Sequence, residues 1–124
     1  MKATLLILGL LFANLSLAQE KWDYCVFNEV IASKLDMKVY HIKTSNNEHI
    51  TWITIKDKHT SNPAKEIKAL KENGIDIDIT NTGNLSSFKV VSALGQVGWE
   101  LVSTQSTKRG DMLESSYWFK RKSK

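Results

Sequence analysis

The chain has 124 residues, 42% of them hydrophobic and 24% charged, with a formal net charge of +4. That is enough chain for one small domain and too little for two, which excludes multi-domain enzymes and repeat arrays. The charge is mild and reads as solubility, and the single cysteine, Cys25, excludes an intramolecular disulfide framework.

Lys2 precedes an apolar run from Leu5 to Ala13, followed by Ser16-Leu17-Ala18. A positive start, a short apolar core and small residues before the cut are the layout of a secretory signal peptide. Residues 1–18 are therefore expected to be removed, leaving 19–124 as one soluble exported domain, periplasmic or secreted. The apolar run is too short to cross a bilayer, and no later stretch is apolar enough, so no integral membrane segment is expected. Cys25 does not sit at the cleavage point, where a lipid anchor would need it. Its two fates are burial as an inert thiol or pairing between chains. The basic tail, 120–124, is expected to be solvated, and an exported chain seldom meets nucleic acid.

From Trp22 to Val30 the chain alternates, with Trp22, Tyr24 and Val26 on one side and Asp23, Cys25 and Phe27 on the other: a strand. Residues 31–37 show no clear period. Two strands follow, Val39–Lys43 and Ile50–Ile55, around Asn46-Asn47, read as a two-residue turn because Asn tolerates positive φ. In that register Tyr40 faces Ile53, Ile42 faces Thr51 and His41 faces Trp52. Tyr40, Ile42, Ile53 and Ile55 then share one face; Val39, His41, Ile50 and Trp52 share the other. Both faces would be partly apolar.

Residues 62–74 admit two readings. Asn62 as cap, Pro63 in the first turn and Gly74 past the end describe a helix over 63–73. Asn73-Gly74 before the alternating Ile75-Asp76-Ile77-Asp78-Ile79 describes a hairpin arm. Ile67, Ala69 and Leu70 do not alternate, which favours the helix; a strand over 75–79 is expected either way. After the loop Asn81-Thr82-Gly83-Asn84, Leu85, Phe88, Val91 and Leu94 recur every third residue, an amphipathic helix over 86–97. Gly98 supplies a left-handed stop, and Trp99 falls where a Schellman motif sets its apolar contact, against Leu94. Glu100–Thr107 and Leu113–Lys122 close as a hairpin around Lys108-Arg109-Gly110-Asp111. The expected fold is α+β: a two-layer sandwich with an antiparallel sheet of four to six strands, one main helix over 86–97 and a short second one over 63–73.

Two segments carry a resemblance to a known family. Ala93-Leu94 leads into Gly98-Trp99-Glu100-Leu101-Val102, and the last strand holds Tyr117-Trp118-Phe119-Lys120-Arg121. This ending resembles a bacterial family catalogued only as a domain of unknown function, number four-one-seven-seven. Trp22-Asp23-Tyr24-Cys25 is similar to the Trp-Glu-Tyr-Cys opening of its exported relatives. The resemblance implies a small α+β domain and no chemistry, since none is assigned to that family. It covers about half of residues 19–124, and the stretch 31–84 departs from it.

Chemistry is sparse. In the expected register His41 and His49 stand roughly 10 Å apart along the strands on opposite faces, too far for one zinc ion. Cys25 in mid-strand lacks the glycine turn or helix N-terminus that would lower its pKa. Asp76 and Asp78 read as a wet strand face, and Gly95 and Gly98 end a helix instead of opening a phosphate loop. No metal and no cofactor are expected. Of the four tryptophans, Trp22 and Trp99 read as core, while Trp52 and Trp118 read as flanks of a sheet surface. The candidate interaction surface is therefore His41, Trp52, Trp118, Lys108 and Arg109, with Leu94, Gly98 and Trp99 as a structural corner.

The expected function is an exported, non-catalytic binding or interaction module. Its rivals are a small envelope hydrolase with a cryptic site and a purely structural, self-associating subunit. The expected partner is a second copy bound through the second sheet face, or an envelope protein or glycan. If the signal-peptide reading is right, intact mass of the exported protein should begin at Gln19. Retention of Met1 in protein isolated from the envelope would refute it.

Overall fold

Alternating aromatic and β-branched residues build β1, Trp22–Ala32. A 3-10 turn at Ser33–Leu35, with Asp36 left-handed at φ 49, reverses the chain into β2, Met37–Thr44. β3, His49–Ile55, turns through Lys56 and Asp57, at φ 53 and φ 60, into the two-residue β4, Lys58–His59. Two successive positive φ angles make a type I′ turn, whose twist matches that of its strands. The helices α1, Ala64–Glu72, and α2, Ser87–Gln96, come next. β5, Glu100–Arg109, and β6, Met112–Lys122, then close around Gly110 and Asp111. The computed structural model describes residues 21–81 and 85–123; the signal-peptide reading, residues 82–84 of the loop and Lys124 lie outside them.

All neighbouring strands run antiparallel, in the order β4-β3-β2-β1-β6-β5. The helices lie in the β4–β5 connection and pack on one face. This is the α+β sheet-plus-helix sandwich expected from the sequence.

The β2–β3 hairpin corrects the expected register. Thr44 N–H donates to the Glu48 carbonyl at 3.0 Å and Asn47 N–H to the Thr44 carbonyl at 3.1 Å, with Asn47 at φ 62. The loop is Ser45-Asn46-Asn47, three residues closed by a left-handed one, instead of Asn46-Asn47 alone. Tyr40 consequently faces Trp52, His41 faces Thr51 and Ile42 faces Ile50. A slip of one residue carries every side chain of a strand to the opposite face. Here it gathers Tyr40, Ile42, Ile50 and Trp52 into the core, and Val39, His41, Thr51, Ile53 and Ile55 onto the other face.

Within the core a row of rings crosses β3, β2, β1 and β6. Trp52 stacks on Tyr40 at 5.3 Å, Tyr40 on Phe27 at 6.3 Å and Phe27 on Tyr117 at 5.5 Å between centroids. Each such pair adds about 0.5–1.5 kcal/mol beyond its buried area. Cys25, Ile42, Ile50 and Phe119 complete the floor, and Leu70, Ile75, Ile79, Val90, Leu94 and Trp99 close it from above.

Asn62 Oδ1 accepts the Ala64 N–H at 3.0 Å, and Ser86 Oγ accepts that of Lys89, so each helix begins at a polar cap. Both helices stop alike. Trp99 N–H donates to the Leu94 carbonyl and Gly98 N–H to that of Gly95, each at 3.1 Å. Ile75 N–H donates to the Leu70 carbonyl at 2.9 Å and Gly74 N–H to that of Lys71 at 3.0 Å. These are two Schellman motifs, each with a glycine at positive φ and a buried apolar contact. Asn73-Gly74 is thus a helix stop, and the hairpin-arm reading fails. The expected strand over 75–79 also fails: the segment pairs with no strand among those described. Its alternation has another cause, since it lies in the helix layer and points Ile75 and Ile79 into the core.

The corner can be tested by denaturation. Gly98→Ala should cost about 1 kcal/mol, from positive φ alone, because the added Cβ meets only Arg121 Cδ at 3.7 Å. Gly74→Ala should cost more, since its Cβ would stand 3.1 Å from Val97 Cγ1. Trp99→Ala should lose on the order of 3 kcal/mol, and a variant as stable as the parent would contradict its burial.

Candidate functional site

With both helices on one side, no element among the described residues covers the opposite face of the sheet, called the open face below. Direct cross-strand pairs divide it into rows. Trp118, Val26, Lys43 and His49 form one row from β6 to β3. Ser116, Asn28, His41 and Thr51 form the next, and Glu114, Val30, Val39 and Ile53 the third. Beyond the first row stand Tyr24 beside Lys120 and Trp22 beside Lys122; beyond the last stand Met112 and Ile55. The face therefore has an aromatic end edged by lysines, a polar belt and an aliphatic end.

Tyr24 is 55% exposed and Trp118 47%, large values for rings on a sheet. Together with Val26 and Lys43 they border a hollow of about 220 Å³. Lys120 Nζ lies 4.5 Å from the centre of the Trp22 ring, a cation–π contact.

The polar belt is hydrogen-bonded within itself. Ser116 Oγ donates to Asn28 Oδ1 at 2.7 Å, and His41 Nδ1 lies 2.5 Å from Thr51 Oγ1. The corrected register brings His49 to the same face as His41, with His49 Nδ1 3.3 Å from His41 Nε2. The expected separation of roughly 10 Å across opposite faces is therefore wrong, and its cause is the one-residue slip. Burial, then the neighbouring His49 and Lys43, hold the His41 pKa below the ordinary imidazole value.

The helix side offers a groove of about 370 Å³ between residues 76–81 and α2, bordered by Asp76, Asp78, Phe88 and Lys89. Asp78 accepts hydrogen bonds from the hydroxyl and the N–H of Thr80, which lower its pKa. That is an Asx turn shaping the chain locally. Burial pushes the Cys25 thiol up to about 12 despite Arg121, so no thiolate forms near neutral pH. Among the described residues no group of three or more His, Cys, Asp or Glu side chains converges as a metal site.

Two further titratable groups have altered pKa values; the first is Glu29, buried on the core face between Tyr40 and Ser115. Burial raises its pKa, and Lys38 partly offsets this. Tyr40 is pushed up to about 12 by burial, then by the charges of Glu29 and Asp57.

Of the residues expected to form the interaction surface, the structure brings His41 and Trp118 together on the open face. Trp52 is a correction: it is 3% exposed, stacked on Tyr40 in the core by the shifted register. Trp22 is also corrected, from core to the half-exposed rim of the open face. Lys108 and Arg109 are exposed at the far end of β5. Arg109 pairs with Met112, roughly 20 Å along β6 from Trp118. Leu94, Gly98 and Trp99 do form the corner, reinforced by the Arg121 guanidinium 4.0 Å from the Trp99 ring centre. Tyr24, Val26, Lys43 and His49 were missed as surface residues, although the alternation in β1 already placed Tyr24 and Val26 beside each other.

No family model matches the chain, and no curated protein matches it. Among solved structures it is similar to a conserved kinetoplastid-specific protein from Trypanosoma cruzi, with TM-score 0.46 and 10% identity over 82% of this chain and 98% of that one. A likeness that distant carries no function.

Glu29 yields a pH test. A carboxylate whose folded pKa is raised favours the fold while protonated and loses that contribution as pH rises from its unfolded to its folded value. Glu29→Gln should therefore be at least as stable as the parent at pH 7, and the difference should vanish below about pH 4, where both states of the parent are protonated. Urea midpoints across pH measure it; a gap that widens on acidification would contradict the assignment.

Proposed function

We propose that the protein is an exported, non-catalytic interaction module whose contact surface is the open face of the sheet, and that the face pairs with a second copy. One observation carries this reading: aromatic and aliphatic side chains at the two ends of that face have no covering layer among the described residues. Residues 31–37 continue β1 and β2 through the 3-10 turn, and Lys58–His59 extend the sheet edge, so neither folds over the face. Exposed apolar patches rimmed by polar residues mark interaction surfaces. A two-fold axis near the polar belt would lay the lysine-edged aromatic end of one copy on the Glu114 row of the other, using one patch twice.

A non-catalytic role is supported by the belt's internal hydrogen bonds and by Cys25, held as a thiol. The resemblance to the family of unknown function fits an exported α+β module and contributes no active residue.

Sedimentation equilibrium at about 50 μM, in the concentration range of micromolar complexes, tests the pairing. The protein from Gln19 should be a dimer, and Tyr24→Asp with Trp118→Asp should be monomeric with unchanged far-ultraviolet circular dichroism. A monomeric parent would overturn self-association and would direct the same face to an envelope protein or glycan.

A further inference from the structure

We infer that His41 and His49 form a two-imidazole site for a divalent transition-metal ion, with a spacing that suits zinc. The site rests on two side chains of one chain and is open to an ion in the monomer, whose polar belt is bare among the described residues; in the proposed pair its remaining positions would face the second copy. His41 Nε2 and His49 Nδ1 are 3.3 Å apart. A tetrahedral zinc ion with Zn–N bonds of about 2.0–2.1 Å holds two ligand nitrogens about 3.3–3.4 Å apart. The two nitrogens already have the separation the ion requires, so coordination needs little movement of either ring.

The surroundings favour this use. His41 Nδ1 contacts Thr51 Oγ1 at 2.5 Å, and donation of its N–H there leaves the lone pair on Nε2, the atom facing His49. Metal-bound histidines are oriented by such a second hydrogen bond from the other ring nitrogen. Both rings project from paired strands, β2 and β3, whose ladder holds them in register. Without an ion, a proton on His49 Nδ1 is shared with His41 Nε2; on coordination that proton moves to the other nitrogen of His49, leaving both facing atoms free to bind.

Imidazole ligands suit zinc, copper and nickel, and two of them leave the remaining positions to water. Lys43, paired with His49 on the same face, is a positive charge that opposes binding; Asn28 and Thr51, paired with His41, are neutral. The site is therefore a surface chelate, weaker than a closed structural centre.

Zinc titration of the protein from Gln19, followed by NMR of the histidine rings, tests the site. The resonances of His41 and His49 should shift together on zinc addition. Those of His59 should not, because its Nε2 is already engaged with the Ile79 carbonyl. His41→Gln and His49→Gln should each lose about tenfold or more in zinc affinity, and Thr51→Val, which keeps both rings, should also weaken binding. Unshifted His41 and His49 signals in millimolar zinc, or undiminished binding by the double His→Gln variant, would overturn the proposal. Lys43→Ala should bind at least as tightly as the parent, and weaker binding would count against it.

Discussion

A three-residue loop decides what each face of this sheet presents. Asn47 takes a left-handed conformation, and the Thr44–Glu48 hydrogen bond closes the loop around it. From that point to Ile55 the pairing of β3 against β2 follows. Because side chains in a strand alternate with period two, there is no intermediate arrangement: either Trp52 is inside and His49 outside, or the reverse. The stacked rings, the histidine pair and the composition of the open face all depend on this turn. Register is well specified here, since a slip would expose Ile50 and Trp52 and turn His49 and Thr51 into the core.

The second layer depends on the two helix stops. Each Schellman motif ends its helix at a glycine and immediately buries the next side chain, Ile75 or Trp99, against the last turn. The stops are also neighbours, because Gly74 lies against Val97, where α2 ends. The absent Cβ at Gly74 thus serves both the left-handed backbone and the approach of the two helix ends. From these corners the chain leaves in defined directions: residues 75–79 run within the helix layer, and β5 begins directly after Trp99. The cover supplied by the described residues is thereby placed on one face, and they leave the opposite face open.

Much of the fold was legible locally. Period-two alternation marked β1, period-three apolar recurrence marked α2, and Asn62, Pro63 and Gly74 marked α1. The candidate surface was only partly legible. Trp118 and His41 were correctly placed outward, but Trp52 was assigned to the wrong side and His49 was separated from His41. Both errors came from reading Asn46-Asn47 as a two-residue turn when the loop also includes Ser45. The alternating isoleucines at 75–79 misled differently, since alternation reports which side chains point inward and not whether a backbone has a strand beside it.

The sequence by itself determined the class of fold, the positions of the helices and the corner at Gly98-Trp99, because helix period, capping residues and left-handed glycines act over a few neighbouring residues. Only the tertiary structure decided the six-strand order, the side on which the helices lie and the neighbours of each side chain across strands. Those depend on contacts between residues distant in the chain, such as β1 with β6. They also depend on a turn whose alternatives differ by one residue yet exchange the two faces of a strand. The meeting of His41 and His49 belongs to that second kind: two rings eight positions apart in sequence, brought to 3.3 Å by strand pairing alone.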